Sequence, residues 1–142
     1  MAQTSDRGEA MMTTELMMLA YSTALLFVLI VIQVLVAVRA VGLIPLANHR
    51  DNLPDPKPFQ ARTKRIVDNH REGLMLFAPL ALIVAVAHLS SPITALGAQM
   101  FFYARVVHAG LYLAGVPLIR PLAWAVGIAG CVMQFGAILH WW

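Results

Sequence analysis

Arg105, His108 and Tyr112 recur at i, i+3 and i+7 within the hydrophobic segment FFYARVVHAGLYLAGVPLIRPLAW, residues 101–124. On a helix these three side chains project from one face. Arg65, Asn69 and Glu72 repeat the pattern at i, i+4 and i+7 in an earlier segment, and Arg120 adds a further guanidinium. Two such faces opposed at one depth offer guanidinium groups to carboxylates, a carboxylate to an amino group, and amide and phenol groups as hydrogen-bond partners. The complementary ligand is small, zwitterionic and rich in carboxylates. A charged side chain deep in an apolar helix is costly in a bilayer, so it faces a bundle interior or a wet cavity and marks a candidate site.

The rest of the chain has to supply that cavity. Of 142 residues, 60% are hydrophobic and 12% charged, with a mean hydropathy of +0.74. This is too apolar for a soluble domain of that size and describes one integral membrane domain. The formal charge of +3 does not point to nucleic acid, because Lys and Arg cluster only over residues 62–71; a basic bias in a membrane protein marks cytoplasmic loops. Cys131 has no partner cysteine and lies in an apolar run, which excludes an intrachain disulfide and argues against an activated thiolate. The five histidines are too dispersed for metal-ligand spacing.

Residues 1–15 read as a polar, frayed N-terminal tail, and residues 16–142 as an all-α domain of four transmembrane helices at about 16–39, 61–88, 93–114 and 118–142. The first helix carries no ionisable acid or base until Arg39 closes it. Residues 45–60, with four prolines, read as one long loop. The second helix is polar in its first half and apolar in its second, where Pro79 is expected to kink it. Gly115 and Pro117 end the third, and Trp141 and Trp142 suit an interfacial anchor at the end of the fourth. Arg39, Arg50, Lys57, Arg62, Lys64 and Arg65 flank the long loop, while residues 88–92 hold neither Lys nor Arg. The positive-inside rule then sets the loop in the cytoplasm and both termini opposite. Arg39, the polar half of helix two, the Arg105 to Tyr112 stripe and Arg120 all fall in the cytoplasmic half.

Taken together, the motifs RxxxNxxE (Arg65, Asn69, Glu72) and RxxHxxxY (Arg105, His108, Tyr112), followed by Arg120 at the start of helix four, resemble the MAPEG family, the membrane-associated proteins of eicosanoid and glutathione metabolism. The resemblance covers the chain from residue 16 onward. It implies a homotrimer of four-helix subunits in the cytoplasmic membrane, binding glutathione as cosubstrate between subunits on the cytoplasmic side and taking a hydrophobic small-molecule substrate from the lipid. Arg39, Arg65, Asn69, Glu72, His108 and Tyr112 would be glutathione-pocket residues, and Arg120 the catalytic arginine that stabilises the thiolate. Three positions depart from the prostaglandin-synthase branch: Trp124 replaces a tyrosine, Pro121 a serine, and Asp68 a basic residue. These changes argue against prostaglandin isomerisation and leave a transferase or peroxidase.

Each polar residue also has a plainer reading. Arg105 suits an ion pair with Glu72 that holds helices two and three together. His108 serves as a hydrogen-bond partner, Tyr112 and Asn69 divide between helix contact and ligand contact, and Arg120 can snorkel to the interface. Lys64, Asp68, His70 and Arg71 read as the solvated or headgroup-facing side of helix two. Two functions of other classes compete with the enzyme: a non-catalytic lipid-binding protein of the same fold, and a small transporter or channel subunit. The latter fits less well, since the outer halves of helices two and four offer no polar path.

Overall fold

A computed structural model describes residues 12–48 and 53–141. The tail up to residue 11, the loop residue Arg50 and the terminal Trp142 lie outside the described residues. Among the described residues the regular structure is wholly helical: α1 (Thr14–Val41), α2 (Leu43–Ala47), α3 (Pro58–Val86), α4 (Pro92–Ala114) and α5 (Arg120–Ile138).

The helix ends follow from local chemistry. Thr13 caps α1 by accepting from the Leu16 amide at 3.4 Å, and Gly42, at φ +86°, closes it. Proline at the start, where no amide donor is needed, opens α3 at Pro58 and α4 at Pro92. Ser91 and Thr94 complete a capping box at α4, and Gly115 ends that helix in the left-handed conformation at φ +77°. Two local readings change. Thr14 and Glu15 belong to α1 rather than to a polar tail, because Thr13 is the cap. Part of the presumed long loop is helical: Leu43–Ala47 forms α2 directly after the Gly42 break, and α3 begins at Pro58. Pro79 lies inside α3, which ends at Val86.

The central pair is α3 and α4. α1 packs against both from one side and α5 against both from the other, while α1 and α5 do not touch. The closest crossing is between α4 and α5. A Cβ on Gly97 would stand 2.7 Å from the Gly130 carbonyl oxygen, and one on Gly130 would stand 3.0 Å from the Phe101 amide nitrogen and closer still to the Gly97 oxygen. Only glycine lets the two backbones approach this far. Beside this crossing, Phe77 of α3 stacks on Phe101 of α4 with centroids 4.2 Å apart, in a core that includes Met18, Ala81, Ala98 and Cys131. A second cluster, Leu29, Ile66, Val67 and Ala109, joins α1, α3 and α4 nearer the polar end.

The outer surface is the reverse of a soluble protein's. Phe27 is 69% exposed, Met75 70% and Val86 78%, and α1 and α5 are each long and apolar enough to cross a membrane. Hydrocarbon faces outward and the polar groups turn inward or gather at the ends. At the end opposite the basic cluster, Glu15 is fully buried. Its carboxylate accepts from Ser90 Oγ at 3.0 Å and from Thr94 Oγ1 at 2.6 Å. The start of α1 is thereby tied to the α3–α4 turn.

Candidate functional site

Three elements converge at the basic end: the first half of α3, the second half of α4 and the start of α5. Arg105 forms the floor and is only 2% exposed. Its Nη1 donates to Asn69 Oδ1 at 2.8 Å, and its Cζ lies 5.1 Å from the Phe101 ring centroid. Two glycines make room for the guanidinium. A Cβ on Gly73 would fall 2.5 Å from Cζ, and one on Gly127 would lie 3.6 Å from Nε. The expected ion pair with Glu72 is therefore not formed. Asn69 and Gly73 are one turn apart on the stripe of α3 that faces α4, whereas Glu72 sits about 100° around the helix from Gly73 and is exposed.

Above this floor lies a cavity of about 330 Å³ lined by Asn69, His108, Tyr112, Pro117, Arg120, Pro121 and Trp124. Arg120 stands over the face of Tyr112, with Cζ 4.2 Å from the ring centroid, and its Nε donates to the Pro117 carbonyl at 3.4 Å. The contact with an electron-rich face orients the guanidinium without neutralising it. Among the described residues Arg120 has no carboxylate partner. His108, 5% exposed, meets Tyr112 edge to face at 5.2 Å between centroids, so Tyr112 contacts both His108 and Arg120. The wall carries the Arg120 guanidinium, a donor that stays charged, and no carboxylate. Such a cavity accepts an anion.

Of the residues singled out by their spacing, Asn69, His108, Tyr112 and Arg120 share this cavity, and Arg105 supports it from below. Arg39, in the last turn of α1, and Arg65 and Glu72 on α3 are exposed and do not line it. Asp68 and Arg71 pair with each other at 3.0 Å on the surface. His70 departs from its expected place on the headgroup side. It is 3% exposed, and its ring Nε2 lies 2.9 Å from the Ser22 carbonyl oxygen of α1. The signal was in the spacing: Thr63, Ile66, His70, Gly73 and Phe77 recur every three or four residues and are all buried. Polarity hid that register. The packing roles of Gly73 and Gly127 also escaped the sequence reading, since nothing in a lone glycine names the side chain that will fill its gap. No group of three or more metal-ligating side chains occurs among the described residues.

Residues 18–140 match the sequence model of the MAPEG family, which takes in the chain from the first turns of α1 to beyond the end of α5. No curated protein and no solved structure matches.

Proposed function

The chain belongs to the MAPEG family, and from that premise we propose that it is a glutathione-dependent membrane transferase or peroxidase acting on hydrophobic electrophiles or lipid hydroperoxides. The observation that carries this reading is Arg120, held over Tyr112 at 4.2 Å in a cavity whose wall has no carboxylate. A fixed positive charge beside a thiol favours the thiolate. Arg120 would hold the glutathione sulfur in that form, while Asn69, His108 and Tyr112 contact the polar parts of the tripeptide.

In the transferase step, the thiolate sulfur forms a bond to the electrophilic carbon as the leaving group departs with its electron pair. In the peroxidase step, the sulfur attacks the terminal hydroperoxide oxygen, the O–O bond breaks, and the lipid alcohol is released after protonation. A second glutathione then displaces water from the sulfenic acid to give the disulfide. Arg39, Arg65 and Glu72, exposed on one chain, would complete the pocket in a homotrimer, with Arg39 reaching a neighbouring subunit's cavity. The hydrophobic substrate would arrive from the lipid, and the basic end of a four-span subunit would face the cytoplasm.

Trp124, 45% exposed and part of the cavity wall beside Pro121, favours one alternative, a non-catalytic lipid-binding protein of this fold. Turnover separates the two. Purified protein in detergent should conjugate glutathione to an apolar aryl halide or reduce a fatty-acid hydroperoxide, and Arg120→Ala should lower the rate at least roughly tenfold, as expected when a charge stabilising the reacting anion is removed. Absence of either activity in protein that binds glutathione would support the lipid-binding alternative.

A further inference from the structure

A carboxamide can present either its oxygen or its amino group to a ligand, and which one it shows decides what it recognises. Asn69 stands between the cavity, whose wall it forms, and Arg105, whose Nη1 lies 2.8 Å from Asn69 Oδ1. A guanidinium carries donors only. A flipped amide would set an N–H₂ against an N–H at that distance, so the contact holds Oδ1 turned inward. Arg105 cannot readily swing away to release it. It is 2% exposed, lies beneath the Phe101 ring, and occupies the gaps of Gly73 and Gly127, where any Cβ on Gly73 would collide with it.

Resting on the glutathione reading above, we infer that Arg105 is a positioning residue that locks the Asn69 carboxamide with its amino group toward the cavity, so that the ligand atom met there is an acceptor, a carboxylate or peptide carbonyl oxygen. The lock makes this part of the wall a donor, in keeping with the Arg120 guanidinium that also lines the cavity. It also gives the buried arginine a function that an ion pair with Glu72 would not supply: Arg105 touches no ligand, yet it sets the polarity of one that does.

Asn69→Asp is the most direct probe, because it keeps the shape and still accepts from Arg105, but replaces the cavity-facing donor by an acceptor. Glutathione affinity should fall roughly tenfold or more. If instead the Asn69 oxygen faces the ligand, Asp preserves the contact and affinity is retained, which overturns the inference. Arg105→Met removes the lock while filling the same apolar space. It should raise the glutathione KM by roughly tenfold with a much smaller change in kcat, and Arg105→Lys, which keeps a donor, should recover most of the loss. A KM unchanged in Arg105→Met also overturns it. A second readout needs no glutathione: the Asn69 side-chain ¹⁵NH₂ signal of the ligand-free protein, assigned by its disappearance in Asn69→Asp, should shift in Arg105→Met. If the wild type fails to bind glutathione while that signal shifts, the lock stands and the glutathione reading falls. If the signal does not shift, the lock itself is wrong.

Discussion

Arg105 Nη1 donates to Asn69 Oδ1 at 2.8 Å, so the buried guanidinium at the basic end of the bundle is met by a neutral amide. A carboxylate partner would have cancelled the charge; the amide leaves it uncancelled beneath the cavity and uses it to orient a side chain. The arrangement depends on two absent side chains, at Gly73 and Gly127, and that dependence can be tested.

Gly73→Ala places a Cβ 2.5 Å from Arg105 Cζ. The guanidinium must move, and Asn69 loses its partner. The expected cost is about 1–3 kcal/mol, seen as a lower midpoint of thermal unfolding in detergent together with weaker glutathione binding. Gly110→Ala is the control. No atom stands within 4 Å of a Cβ there, and alanine is the better helix former, so stability should hold or rise by up to about 1 kcal/mol.

The α4–α5 crossing should be less forgiving. A Cβ on Gly130 meets backbone, the Gly97 carbonyl and the Phe101 amide, and no rotamer change relieves it. Gly130→Ala is expected to cost about 3 kcal/mol or more and to reduce the yield of folded protein. A midpoint within a degree or two of wild type would mean that the two helices do not approach this closely in the membrane.

Part of the candidate site was legible: spacing groups His108 and Tyr112 with Arg105 on one face and Asn69 with Arg65 and Glu72 on another, and the convergence of these clusters with Arg120 in one half of the membrane set that arginine apart from a snorkelling role. What spacing does not convey is depth and rotation. His70 carries a polar label and a core position, and only the register of Ile66, Gly73 and Phe77 reveals the latter. The sequence pairs Arg105 with Glu72 by charge, although Asn69 lies equally within reach of an arginine on the facing helix and is the partner it takes. The gap left by Gly73 decides it. Similarly, Glu15 reads as a tail residue until Ser90 and Thr94, 75 and 79 positions away, are seen to enclose it.

Glu15 supplies a prediction at the other end of the bundle. Glu15→Ala leaves the Ser90 and Thr94 hydroxyls without their buried acceptor, at an expected cost of about 1–3 kcal/mol. The loss should appear in thermal unfolding, whereas glutathione affinity per folded molecule should stay at the wild-type value, because the cavity is built from the opposite ends of α3, α4 and α5. A parallel loss of affinity would show that the two ends are coupled.

Whether Arg120 activates a glutathione thiol is read from the ultraviolet thiolate absorbance of glutathione bound to the detergent-solubilised protein near neutral pH. A thiolate band is expected in the wild type and should disappear in Arg120→Ala, because the guanidinium held over Tyr112 at 4.2 Å would be the charge that favours the anion. Glutathione that binds without ionising, or an equal band in Arg120→Ala, would contradict this role for Arg120.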